Sequence, residues 1–381
     1  MNIVFLAPHF PGNYYHFCAN LYKLGETVLA IADEKYEDIH EELRAVLTEY
    51  YQVTDMHDYD QLVRAMGYFT HKYGKIDCVE SHSEYWLETD ARLRTDFNIS
   101  GLKNDVIKQI RQKSLLKKKL IKAGVSIAPG KVSRTLKDAT TFTKKIGFPL
   151  VAKPDMETGA LGNYTINNQQ ELVDFFTHKP PVEYFLESFI PGKIYTFDGL
   201  VDRDGTLVFY TSHAISEGLS EMLSDDLDSY SYSLRDIPQN LEEAGINTLK
   251  AFDLRERFFH FEFILTPEDQ VVLHAVHMCP PNGVSMDMFN FANDIDLYYE
   301  WGNILVNGST AMNYKRKYHC AYIGRNTSHN YSHSHEEIME KYSPLIVQNP
   351  PLVNATDHYG YLARSPELND ILGLMEFIHA K

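Results

Sequence analysis

A chain of 381 residues with 44% apolar and 23% charged side chains can bury two or three separate cores, so it is neither a small stapled scaffold nor a disordered segment. Its 36 Lys and Arg against 52 Asp and Glu leave a formal charge of −16, a field that disfavours nucleic acid and anionic lipid while still letting a few local lysines hold one triphosphate. Cys18, Cys78, Cys279 and Cys320 show no C-x-x-C spacing, which argues against a zinc framework and against disulfides.

The opening MNIVFLAPHFPGNYY has a short apolar run and no basic leader, and no stretch approaches the roughly 18 apolar residues of a membrane span. The expectation is a soluble, cytoplasmic protein without a membrane partner. Asn2 to Ala7, the helical-period stretch Tyr14 to Leu24 closed by Gly25, and Val28 to Ala32 read as β-α-β with parallel strands. Helical segments at Asp38 to Leu47 and Tyr59 to Tyr73 precede a strand at Ile76 to Glu80, so residues 1–98 form one doubly wound α/β unit. Its first turn, APHFPGN, lacks G-x-G-x-x-G, which disfavours a dinucleotide-binding dehydrogenase.

Residues 99–125 follow as connecting helices, with a cationic run from Asn104 to Ala123 that reads mainly as a solvated face and ends at Gly124. Residues 126–190 contain an extended stretch from Val125 to Val132, a helix at Leu136 to Ile146 and a strand at Phe148 to Lys153. From 191 to 310 hairpin signals dominate. Ile194 to Val201, a D-R-D-G turn at 202–205 and Thr206 to Tyr210 form one set; Phe258 to Leu265, a P-E-D turn at 267–269 and Val271 to Val276 form another. The second half is therefore α+β. Residues 311–381 are a C-terminal extension of short, irregular pieces.

Three places can carry chemistry. Lys153 ends an apolar strand and precedes a polar loop with Gly159 and Gly162; a cation there calls for an anion such as phosphate, against the plainer reading of a lysine that snorkels into solvent. Glu187 ends a second apolar approach beside Phe189 and Ile190, a pattern suited to an exocyclic amine and a ring edge, or simply to a surface Glu before a turn. In FFHFEFIL, alternation puts His260 and Glu262 on one strand face and Phe259, Phe261 and Phe263 on the other, which suits a hard cation beside phosphate oxygens or a satisfied buried pair. Arg235 and Arg257 suit a carboxylate grip or ordinary salt bridges, Asp287 suits orienting the last helix, and His329, His333 and His335 read as a solvated helix start.

In this order and spacing, RQKSLLKKKLIKAGV, GFPLVAKPD, FLESFIPGKIYTFDG, FFHFEF and PPNGVSMDMFNFANDIDLYYEW resemble the ATP-grasp superfamily, and within it stand-alone carboxylate–amine ligase-like proteins related to biotin carboxylase and the carbamoyl-phosphate synthase large subunit. The resemblance extends to about residue 302. It implies ATP and Mg²⁺ as cofactors, small carboxylate and amine substrates, and an acyl phosphate between them, with a homodimer among the assemblies left open. By position it implies that Lys113 and Lys153 bind phosphate under the Gly159/Gly162 loop, that Glu187 takes the adenine amine, and that Phe189 and Ile190 form the hinge. His260, with Arg257, falls among the catalytic groups, and Glu262 on the metal.

The departures bear on mechanism. Ile194 stands where a ribose-binding Glu is common, and AVHMCPPNG replaces Glu-x-Asn-x-Arg-Pro-Pro-Gly-Gly, so Ala275, His277 and Cys279 stand in place of a carboxylate, an amide and an arginine. The alternative to a ligase is a degenerate relative that binds nucleotide or a partner without turnover.

Overall fold

The computed structural model describes all residues except 157–161, 217–227, 282, 349–351 and 354–357. Near-continuous apolar runs at β1 (Asn2–Leu6) and β2 (Thr27–Ala32) form the centre of a parallel sheet, as runs buried on both faces do. With β3 (Glu49–Gln52) and β4 (Cys78–Glu80) its order is β3-β2-β1-β4. The helix Tyr59–Tyr73 that covers it is capped by the Asp58 carboxylate and stopped at Gly74, whose φ of 87° suits glycine.

A second, antiparallel sheet has the order β5-β8-β6-β7, from β5 (Gly130–Val132), β6 (Leu150–Pro154), β7 (Tyr164–Ile166) and β8 (Tyr184–Ser188). Two helices, Leu136–Ile146 and Gln169–His178, pack on it around Leu150, Ala152, Leu172 and Leu186.

The largest sheet takes β9 (Lys193–Val201), β10 (Leu207–Thr211), β11 (His213–Ile215), β12 (Tyr230–Ser233), β13 (Arg257–Leu265) and β14 (Val271–His277). It continues into β15 (His319–Asn326), β16 (Leu352–Val353) and β17 (His358–Ser365). The order is β14-β13-β9-β11-β12-β15-β17-β16, with β10 also on β9. Strands from the segment 311–381 thus lie in the same sheet as the hairpins before them.

Along β9 and β13 one face of this sheet is apolar: Phe197, Phe259, Phe261 and Phe263 pack under the helices Asn104–Arg111, Lys113–Lys122 and Gln239–Lys250. The other face changes character along β13. Phe258 joins Leu200, Phe5, Phe17 and Trp301 in the core shared with the parallel sheet, and two residues on the side chains become His260 and then Glu262. The polar end of that face carries the candidate site. No helix among the described residues is long and apolar enough to cross a membrane.

Candidate functional site

Two clusters face each other where the small sheet meets the large one. In the first, the Glu187 carboxylate on β8 accepts from Lys153 Nζ at 2.8 Å and from Lys117 Nζ at 2.7 Å. Burial would raise its pKa, but Lys153 and Lys117 outweigh that and hold it down at about 2. Register explains the Lys153 contact, since β6 and β8 pair with Val151 opposite Glu187. Lys117 arrives from the helix Lys113–Lys122, whose first turn is fixed by Asp155: that carboxylate accepts from Ser114 N and Oγ and from Gln112 Nε2, and Lys113 N donates to the Asp155 carbonyl.

The second cluster is a column across three strands. Asp198 on β9, His260 on β13 and His277 on β14 are in register, with Thr196, Glu262 and Ala275 two residues along. Groups directly opposite on one face meet. His260 Nδ1 lies 2.5 Å from Asp198 Oδ1 and its Nε2 lies 3.3 Å from Glu262 Oε1. Burial disfavours the imidazolium, yet Asp198 and Glu262 bring the His260 pKa up to about 10, so it is cationic at neutral pH. Both carboxyls are pushed up by burial and held down at about 2, Glu262 chiefly by His260, and Asp198 by His260 and His213. His277 stacks on His260 with ring centroids 5.4 Å apart, and its Nδ1 lies 3.5 Å from Glu84 Oε2. The Cys279 thiol is 3.5 Å from the same carboxylate, and burial, then Glu84, raises its pKa well above normal.

His274 lies between the clusters. The β13–β14 pairing passes from Glu262–Ala275 to Phe263–Leu273, so His274 is the extra residue of a bulge. Burial and then Lys153 push its pKa down to about 4, with Glu262 and Glu187 also within electrostatic reach. It is therefore a neutral imidazole between the lysines and Glu262.

The column opens on a cavity of about 340 Å³, and a second of about 1210 Å³ shares Ser231, Ser285 and Tyr322 with it. The larger reaches the parallel sheet through Asn13, whose amide donates to Asp287 at 2.8 Å. Tyr298 donates to Asp287 at 2.8 Å as well, so that carboxylate orients two elements.

Of the groups expected from sequence, Lys153, Glu187, His260 and Glu262 come together in this region. Lys113 stands at the first turn of its helix, half-buried. Gly162 is exposed, and Gly159 lies outside the described residues. Phe189 is exposed, its N–H on the Pro149 carbonyl, and Ile190 is half-buried beside it. The sequence reading puts Arg257 with the catalytic groups. The structure instead puts its buried guanidinium on Glu80 at 2.5 Å and on the Met278 carbonyl at 2.9 Å, away from the cavity that His260 lines. Through the Met278 carbonyl it ties β13 to the chain just before Cys279. Arg235 donates to the Pro366 carbonyl. His335 begins the helix His335–Tyr342, and His333 stacks on Phe377.

Comparison with known proteins bears on this arrangement. Residues 112–184, which hold the Lys117–Lys153–Glu187 cluster apart from its last member, match the family described as carbamoyl-phosphate synthase L chain, ATP binding domain. The carbamoyl phosphate synthase large chain of Clavibacter michiganensis subsp. michiganensis is 32% identical over 114 residues, 28% of this chain and 10% of that protein. This chain thus spans a small part of that relative's length. The L-amino acid ligase of Bacillus licheniformis superposes over 98% of this chain and 96% of its own with a TM-score of 0.75, at 13% identity. The biotin carboxylase domain of the Hydrogenobacter thermophilus 2-oxoglutarate carboxylase, solved with MgADP, ADP and bicarbonate, gives a TM-score of 0.66 at 17% identity over 84% of this chain and 74% of that one.

The chain has the ATP-grasp fold.

For brevity the small sheet is called the lid and the large sheet the platform; the two clusters lie on their facing surfaces. Four groups here escape sequence reading. Lys117 is one of seven cations in its helical run. Asp198 reads as an ordinary polar position in KIYTFDGLV, and its role emerges only from register with His260. His274 depends on a bulge, and Glu84 is remote from His277 in sequence.

Proposed function

We propose that the chain is an ATP-dependent ligase that joins a small carboxylic acid to an amine or similar nucleophile through an acyl phosphate. The observation that carries this reading is the pairing of Lys117, Lys153 and Glu187 on the lid with His260 and Glu262 on the platform, bridged by His274. Phosphoryl transfer needs positioning and charge neutralisation more than covalent help from the protein. Two lysines on one carboxylate leave a local positive excess in a chain of net charge −16, and His260 adds a cation on the opposite side.

Magnesium, present with ADP in the Hydrogenobacter structure, would neutralise phosphate oxygens. Glu262 is the residue here that would hold it, the rest of its shell being phosphate oxygen and water, which is an ordinary arrangement for this ion. The larger cavity, reached past Ser285 and Tyr322, has room for both organic substrates.

Ala275 opposite Glu262 favours the second reading, nucleotide binding without turnover, because the cross-strand position offers no second carboxylate. The discriminating experiment is ADP release across pools of amino acids and other carboxylic acids, each with amine acceptors. A ligase releases ADP only with the right pair, and Glu262→Gln abolishes that release. Silence across broad pools while ATP still binds would favour the non-catalytic reading, and undiminished turnover in Glu262→Gln would remove that residue from the metal.

A further inference from the structure

The donors around Glu262 are richer in nitrogen than a magnesium site needs. One ligand atom each from His260, Glu262 and His277 can be chosen so that all lie within 4.8 Å of one another. The 3.3 Å from His260 Nε2 to Glu262 Oε1 is about the separation that two ligands, each roughly 2.0–2.1 Å from one tetrahedral ion, must have. The column on three adjacent strands explains why they converge: His277 lies directly across from His260, and Glu262 follows two residues later on the same face.

The outer contacts are those of ligands rather than of a simple buried ion pair. Metal-bound imidazoles usually place their second nitrogen on a carboxylate, which fixes the tautomer and the ring plane. The His260 ring does so: its Nδ1 is on Asp198, which is itself held by Thr196 and His213, while His277 Nδ1 faces the Glu84 carboxylate at 3.5 Å. A network that only satisfied Glu262 would need His260 alone; it would not need His277, stacked beside it and tethered by its own carboxylate. Two imidazoles and one carboxylate form a borderline-soft set, which magnesium, a hard ion that dehydrates reluctantly, does not favour.

We infer that His260, Glu262 and His277 form a protein-held site for a borderline divalent transition metal of the Zn²⁺ or Co²⁺ class, occupied without nucleotide. On binding this ion His260 would give up its Nε2 proton and Glu262 would ligate it in place of magnesium, so the platform-side positive charge would be the ion's; any part in catalysis rests on the ligase reading, whereas binding does not.

The test is titration of the full chain with Co²⁺ alone, in nucleotide-free buffer, followed by visible absorption. The expected result is one equivalent bound, with d–d bands of the intensity typical of four or five ligands, and no displacement by millimolar Mg²⁺. His277→Asn, which supplies an oxygen donor, should weaken Co²⁺ binding by about 100-fold or more. Glu84→Gln, which among the three proposed ligands faces only the outer nitrogen of His277, should weaken it by about 10-fold with the fold intact by circular dichroism. No stoichiometric Co²⁺ binding, or equal affinity in wild type and both variants, overturns the inference. ATP binding, read on the same preparation by thermal shift, separates the two claims: a nucleotide shift without cobalt bands sinks the metal site and leaves the ligase, whereas bands without a nucleotide shift do the reverse.

Discussion

At Glu187 two ammonium groups converge on one carboxylate that burial alone would neutralise. Because its folded pKa, about 2, lies below the ordinary 4.5, the pairing stabilises the fold fully above pH ~4.5, and that contribution is lost as the pH falls towards 2. Glu187→Gln should therefore cost on the order of 2–3 kcal/mol at neutral pH and flatten the acid limb of stability, as urea midpoints measured from pH 7 to pH 3 would reveal. An unchanged acid limb would mean that the lysines do not grip it in solution. Glu80 is the second such residue. It accepts from Arg94 at 3.0 Å and Arg257 at 2.5 Å, all three buried. Glu80→Gln leaves two guanidiniums short of a counter-charge and should destabilise by about 3–5 kcal/mol, measured by urea unfolding. At this scale Lys153, Glu187, His260 and Glu262 were legible, because a charge at the end of an apolar strand or between phenylalanines stands out. Arg257 stood out for the same reason, yet its partner is Glu80, 177 positions away, which no local pattern could name.

The elements that position the site depend on close approach and on one irregularity. Gly245, in the helix Gln239–Lys250, faces Phe197 on β9, where an added Cβ would lie 2.3 Å from the ring. Alanine is the better helix former by about 1 kcal/mol, but here the clash should win. Gly245→Ala is expected to lower stability by about 1–3 kcal/mol, read as a lower urea midpoint with an unchanged slope. A more stable variant would show that the helix can lift off the sheet without cost. The irregularity is the bulge that admits His274, which a strict period of two places on the wrong face. Long periodic segments were plain from sequence: the helices Tyr59–Tyr73 and Leu136–Ile146 have the bounds their patterns predict. Short elements were not. The predicted helix Asp38 to Leu47 shrinks to Glu41–Arg44, and β15 and β17 gain their meaning only from antiparallel pairing with each other and, through β12, with the platform.

Across the whole molecule, the shared core of Phe5, Phe17, Leu200, Phe258 and Trp301 joins the parallel sheet to the platform, and the Glu80–Arg257 pair crosses the same boundary. The site therefore sits against a wall fixed by that core, and the segment leading into the lid is tied to the platform edge where Leu273 N donates to the Ser126 carbonyl. ATP-grasp architecture was readable from five motifs in order, but their chemistry was less so, because Ala275 stands opposite Glu262 and the imidazoles around Glu262 come together only through strand register. The central claim is that the clamp holds ATP, and thermal denaturation with ATP and Mg²⁺ tests it most directly. At a hundredfold excess over Kd the folded state gains about 2.7 kcal/mol, so the melting temperature should rise by several degrees in the wild type and by much less in Lys153→Ala. No rise at millimolar ATP and Mg²⁺, or an equal rise in both proteins, would contradict it.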